Sequence, residues 1–142
     1  MKIAYIMRGI QGSGKSTLAR LLAGPKGRVH STDDFFQKPE GYKFDASKLE
    51  MYHDLNFTLF CLSLIEDIPI VICDNVNAER KHYERYLQAA REAGYWVATV
   101  FIGHTSAEEA FRRNIHNIPL YVIQRTLAKW EYDEEIVARS EY

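Results

Sequence analysis

The chain has 142 residues, 46% of them hydrophobic and 13% aromatic, with 18 Lys and Arg against 19 Asp and Glu for a formal net charge of −1. That length predicts one domain, 1–142, with ample apolar content for one core, and the charge excludes a global positive field, so any nucleic-acid contact must be local. Cys61 and Cys73 have no metal or redox spacing, and no apolar run nears 18 residues; reduced thiols, a cytoplasmic setting and no membrane span are expected.

The first element is an apolar run that predicts a buried strand over 2–8. It leads directly into Gly9-Ile10-Gln11-Gly12-Ser13-Gly14-Lys15-Ser16, which fits the pattern G-x-x-x-x-G-K-[ST] at every fixed position. Helix-forming residues follow over 15–23. Gly9, Gly12 and Gly14 let the backbone fold around a polyphosphate with N–H groups pointing inward, and the N-terminus of the next helix adds its positive dipole end. With Ser13, Lys15, Ser16 and Thr17 they form the expected triphosphate-binding set. Lys15 reaches for the β and γ phosphates, and the Ser16 hydroxyl is the expected ligand for Mg²⁺.

A short second strand over 28–31 ends at Thr32-Asp33-Asp34. A carboxylate there would face the γ-phosphate and could take a proton from an attacking hydroxyl, with Asp33 nearer the strand end than Asp34. The bland reading is that one Asp caps a turn before Phe35-Phe36. A helical pattern over 45–66 precedes a third strand over 69–73, which delivers Asp74 as a Walker B-like acid for Mg²⁺. Asn75 and Asn77 extend that polar cluster, Asn77 also as the expected N-cap of a helix over 78–93. Tyr83, Tyr86, Leu87 and Ala90 give that helix an i, i+3, i+4, i+7 face, with Gly94 just past its end.

A fourth strand covers 95–102. Beyond it Thr105 or Ser106 caps a short helix, with Glu108 and Glu109 as capping-box partners. That helix ends in Arg112-Arg113-Asn114, whose guanidinium groups could fold over a triphosphate or simply face solvent at a helix end. Pro119 suits the first turn of a closing helix carrying Leu120, Ile123, Leu127 and Trp130 on one face. The five histidines form no ligand spacing, so zinc is not expected. Strands alternating with helices predict an α/β fold with a parallel sheet, its ligands beyond the carboxyl ends of the strands.

Four motifs in order, Gly9 through Ser16, Thr32-Asp33-Asp34-Phe35, Asp74-Asn75-Val76-Asn77 and Arg112-Arg113-Asn114, resemble those of P-loop kinases of the polynucleotide 5′-hydroxyl kinase family. That family includes phage-type end-healing kinases and the kinase half of the eukaryotic polynucleotide kinase-phosphatase, and the resemblance covers nearly the whole chain. It implies a three-layer α/β/α P-loop NTPase fold with a four-stranded parallel sheet in the order 2-3-1-4. It implies ATP with Mg²⁺ on one side and the 5′-hydroxyl of a DNA or RNA end on the other.

By motif position the resemblance makes Lys15, Asp33 and Arg113 catalytic, with Arg112 and Arg113 at ATP. Asp33, Asp34, Asp74 and Asn75 then line the acceptor side. In the family's Asp-x-Thr-Asn motif Asn75 occupies the acid's place, with Asp74 one residue earlier. Two arginines found in family members are replaced, three residues after Asp33 by Phe36 and four residues after Arg113 by Asn117. Those replacements keep open a smaller acceptor such as a nucleoside, sugar or antibiotic. A nucleotide-binding module without transferase activity is the third reading.

Overall fold

The computed structural model describes residues 1–103 and 106–132. In chain order its main elements are β1 (Ile3–Arg8), α1 (Lys15–Ala23), β2 (Arg28–His30), β3 (Gln37–Lys38), β4 (Gly41–Tyr42), α2 (Leu49–Ile65), β5 (Ile70–Asp74), α3 (Arg80–Glu92), β6 (Trp96–Phe101), α4 (Ala107–Arg113) and α5 (Leu120–Ala128). Four strands form one parallel sheet ordered β2-β5-β1-β6. This is the expected order 2-3-1-4 once the small β3–β4 hairpin is set aside. No described helix is long and apolar enough to cross a membrane.

Alternation along the strands divides the core into two faces, because successive side chains leave a strand on opposite sides. Ala4 and Ile6 of β1 and Val71 and Cys73 of β5 pack with Phe60 and Leu64 of α2 and Tyr83, Tyr86, Leu87 and Ala90 of α3. Met7 and Ile72 point the other way and pack on Ala19 and Ala23 of α1. A third cluster, Ile10, Ala110, Ile123 and Trp130, seats α4 and α5 against the loop after β1. Each fully buried aliphatic or aromatic side chain contributes about 1.5–3 kcal/mol of transfer free energy. The sheet is therefore clamped on both faces, as a parallel sheet requires.

Register then places the site. Met7 pairs with Asp74, and His30 pairs with Cys73. The residues after Arg8, His30 and Cys73 thus emerge together at the carboxyl ends of the strands.

Three local features differ from the sequence expectations. Between β2 and α2 the chain forms a 3₁₀ helix, Thr32–Phe36, and then the antiparallel hairpin pairing Gln37 with Tyr42 and Lys38 with Gly41. The helix expected from 45 resolves into a 3₁₀ turn, Ala46–Lys48, capped by Asp45 accepting from the Ser47 N–H, followed by α2 proper. Asn77 is not the cap of α3. The helix starts later, with Glu79 as its N-cap in a reciprocal capping box with His82. Asn77 instead lies buried at φ 53°, in the left-handed region that Asn tolerates, and its amide donates to the Met7 carbonyl at 2.7 Å. At the next expected cap Ser106 accepts from the Glu109 N–H; Thr105 lies outside the described residues.

Candidate active site

The loop after β1 is tied down from both sides. The Gly9 N–H donates to the Val76 carbonyl at 3.2 Å, and the Ser13 N–H to the Ile10 carbonyl at 3.1 Å. Gly12 has φ 78°, and a Cβ there would collide with the Ala110 carbonyl, so the position needs glycine for both conformation and space. Gly14, at φ 91°, is the N-cap of α1 and offers no side-chain capping bond. The N–H groups opening α1, from Lys15 to Thr17, have no intrahelical acceptor. They leave a cradle for an anion at the positive end of the helix dipole.

Directly behind the cradle sits Asp74, 2% exposed at the end of β5. Its Oδ2 accepts from the Ser16 hydroxyl at 2.7 Å. Its Oδ1 stands 3.9 Å from the Lys15 Nζ and accepts no hydrogen bond. A buried carboxylate oxygen in that state is costly unless a cation or water meets it. The Ser16 hydroxyl and the Asp74 carboxylate are hard oxygen donors, and they fit Mg²⁺. Among the described residues no three His, Cys, Asp or Glu side chains converge to hold a metal by themselves. That also suits Mg²⁺, which usually takes one or two protein oxygens and completes its shell with phosphate and water.

Asn75 does something different from its neighbour. Its Oδ1 accepts the backbone N–H of Thr32 at 3.0 Å, joining β5 to the residue before Asp33. The Thr32 hydroxyl hydrogen-bonds the His53 Nδ1 of α2 at 2.9 Å, so the start of the 3₁₀ helix is held from two elements. Asp33 is half-buried, and Tyr42 of the hairpin donates to its Oδ1 at 3.4 Å. Burial, then the negative charge and hydrogen bond of Asp33, push the Tyr42 hydroxyl up, so it stays a donor. Asp34 reaches solvent, yet desolvation and the charges of Asp74 and Asp33 raise its pKa. Three carboxylates therefore share this corner, a negative field that favours a bound cation.

Arg112 and Arg113 end α4, the helix whose Ala110 packs on Gly12. Both are exposed and both pair with Glu109, Arg113 through Nε at 2.9 Å. Asn114 orders the turn that follows, its Oδ1 accepting the Ile118 N–H at 2.8 Å. Asn117 is exposed at φ 55°. His116 stacks on Tyr42 with ring centroids 3.9 Å apart, joining the segment after α4 to the hairpin. Phe36 is buried in an aromatic cluster with Phe44 and Tyr52, at 5.0 and 4.8 Å.

Sequence reasoning missed Arg8, Tyr42 and His53. Arg8 is fully buried, donating from Nε to the Asn77 carbonyl at 2.8 Å and from one terminal nitrogen to the carbonyls of Ala78 and Glu131 at 3.0 and 2.6 Å. It lies between the rings of Tyr83 and Trp130. A charge ending an apolar run was the visible signal for Arg8. Tyr42 and His53 carried none.

A family model described as an AAA domain matches residues 5–116, from β1 through the segment after α4. The chain belongs to that family. The match of this AAA domain takes in all four motifs, and its fold is that of the P-loop kinases. YLP motif-containing protein 1 of Rattus norvegicus is 29% identical over 158 residues, covering 92% of this chain and 11% of that protein. The chain thus spans about a tenth of the length of the curated relatives it matches first. In the structure of the Pnkp1/Rnl/Hen1 RNA repair complex, one chain superposes with a TM-score of 0.71 at 19% identity, over 94% of this chain and 45% of that one. The Mycobacterium tuberculosis APS kinase CysC in complex with AMPPNP and APS superposes with a TM-score of 0.61 at 17% identity, over 94% and 84% of the two chains. At those identities the likeness is one of fold.

Proposed function

We propose that this domain transfers the γ-phosphate of ATP to the 5′-hydroxyl of a DNA or RNA end. The observation that carries the reading is the Asn75–Thr32 bond, which ties the residue before Asp33 to the residue after Asp74, whose carboxylate meets Ser16 and Lys15. In the proposed reaction the acceptor oxygen attacks the γ-phosphorus in line while Asp33 takes its proton. The bond to the β–γ bridging oxygen breaks and ADP leaves. Lys15 and the N–H groups at the start of α1 bind the phosphate oxygens and stabilise their charge. Ser16 and Asp74 would hold Mg²⁺, which supplies neutralisation of the β and γ phosphates when bound. Arg112 and Arg113 would leave Glu109 for the triphosphate, and Asp34 would line the acceptor side.

Support comes from the four ordered motifs and from the fold shared with a component of an RNA repair complex. The second reading, a small-molecule acceptor, is favoured by Phe36 and Asn117 and by the same fold holding APS in CysC. Transfer of labelled phosphate from ATP to a 5′-hydroxyl oligonucleotide, in parallel with nucleosides and sugars, separates the two. A folded, ATP-binding protein that labels no oligonucleotide overturns the first reading.

A further inference from the structure

We propose that the cleft between the β3–β4 hairpin and the start of α2 binds single-stranded nucleic acid, holding the acceptor strand beyond its terminal nucleotide. The proposal rests on the kinase reading above and names how that acceptor is gripped. Bases would stack on Phe44, and phosphates would lie on Lys43 and Lys48.

Placement is the first argument. The cleft holds about 510 Å³ and is lined by Phe36, Lys38, Lys43, Phe44, Lys48 and Tyr52, together with Glu40 and Asp45. None of its lining comes from the loop after β1. Phe36 nonetheless links its wall to Asp33. Residues three apart eclipse in a 3₁₀ helix, so Asp33 and Phe36 share a face of the Thr32–Phe36 turn. Tyr42 touches both, its hydroxyl on Asp33 and its ring 6.1 Å from that of Phe36. A strand whose terminal hydroxyl reached Asp33 would leave the site along this wall.

Composition is the second argument. Aromatic rings beside lysines are the pattern of sequence-tolerant single-strand binding, where every base offers a π-face and every linkage a charge. Phe44 is 53% exposed although it sits against a buried aromatic cluster. An exposed ring with a rigid backing is a platform. The lining carries three lysines against two carboxylates, in a chain whose overall charge is −1. Lys43 meets Glu40 at 3.5 Å, while Asp45 is engaged by the Ser47 N–H and hydroxyl. Lys38 donates to the Phe35 carbonyl, and Lys43 and Lys48 are the two exposed lysines of the lining.

The test measures binding without catalysis. Anisotropy of 3′-labelled, 5′-phosphorylated oligo-dT and oligo-rU ten-mers would be followed with wild type, Phe44→Ala and the double variant Lys43→Glu/Lys48→Glu, each checked for unchanged melting. All three positions are exposed, so the fold should survive. Wild type should bind. Phe44→Ala should weaken binding about tenfold. The charge reversal should weaken it more and lower the log–log salt slope by about 1.4, the value for two phosphate contacts. In transfer assays the preference for longer acceptors should flatten in both variants. Variants that bind and select length as wild type does overturn the cleft while leaving the kinase reading intact. Binding that the variants weaken, in a protein that labels no 5′-hydroxyl, supports the cleft and overturns the kinase reading. No binding of either oligonucleotide by wild type overturns the cleft outright.

Discussion

The side chain of Asn75 and the backbone of Thr32 are joined by a 3.0 Å hydrogen bond that ties the carboxyl end of β5 to the turn carrying Asp33. Thr32 is 2% exposed, so its N–H has little water to fall back on. Asn75→Ala should cost about 1–3 kcal/mol in urea unfolding. Because a misplacement of about 1 Å at a reacting group costs on the order of 100-fold, transfer should fall by about 10–100-fold. Asn75→Asp keeps the acceptor and should recover most of the stability. An alanine variant with wild-type rate and stability would remove Asn75 from any positioning role.

Ser16 and Asp74 form a further contact of the site, a hydroxyl donating to a buried carboxylate at 2.7 Å. Asp74→Asn should lower transfer by at least about 100-fold and raise the Mg²⁺ concentration needed for half-maximal rate. It should also lower the pKa of Asp34, since the charge of Asp74 follows desolvation among the causes that raise it. Titration of the Asp34 carboxyl by NMR reads this directly. An unmoved Asp34 would mean the two carboxylates do not share a field.

Arg8 is a structural anchor and should behave as one. Its guanidinium bridges three carbonyls from two segments, and hydrogen bonds to a charged group contribute roughly 1.5–3 kcal/mol each. Allowing for non-additivity, Arg8→Met should destabilise by about 3 kcal/mol or more in urea titration. Arg8→Lys should recover only part of this, because an ammonium cannot reproduce the fork. Full rescue by lysine would show that charge alone matters.

Acid sensitivity follows from His30. Burial, and secondarily the charge of Arg28, lower its pKa from the ordinary 6.5 to about 4. Between those values the unfolded chain binds a proton that the native state does not, so stability falls as pH drops through that window and is complete above it. His53 and His82 are lowered in the same direction, each first by burial. The urea midpoint should therefore decline steadily from pH 7 to pH 4.5. His30→Gln should flatten part of that decline. An equal slope in wild type and variant would place the sensitivity elsewhere.

Much of this protein is legible in its sequence because the relevant signals are local. An apolar run, a glycine pattern and a helix start lie within 15–20 residues, and together they specify the cradle around Lys15 and Ser16. The sheet order is implied by the resemblance, and the observed order β2-β5-β1-β6 agrees with it. Other features depend on contacts between distant segments. α2 carries apolar residues on every side, with Met51, Leu55, Leu62 and Ile65 exposed while polar Asn56 and Ser63 are buried, so periodicity could not pick its buried face. The hairpin strands are two residues each, too short for any periodic signal.

Residue order alone specifies a phosphate cradle at the head of α1 and acids at the ends of two further strands. Only the tertiary structure divided the work of Asp74 and Asn75, sending one to Ser16 and Lys15 and the other to Thr32. It also turned Asn77 from a helix cap into a strut under Met7, and brought Tyr42 to Asp33. The physical reason is the same in each case. A hydrogen bond is satisfied by whichever group packing brings near, and packing joins residues that sequence spacing keeps apart.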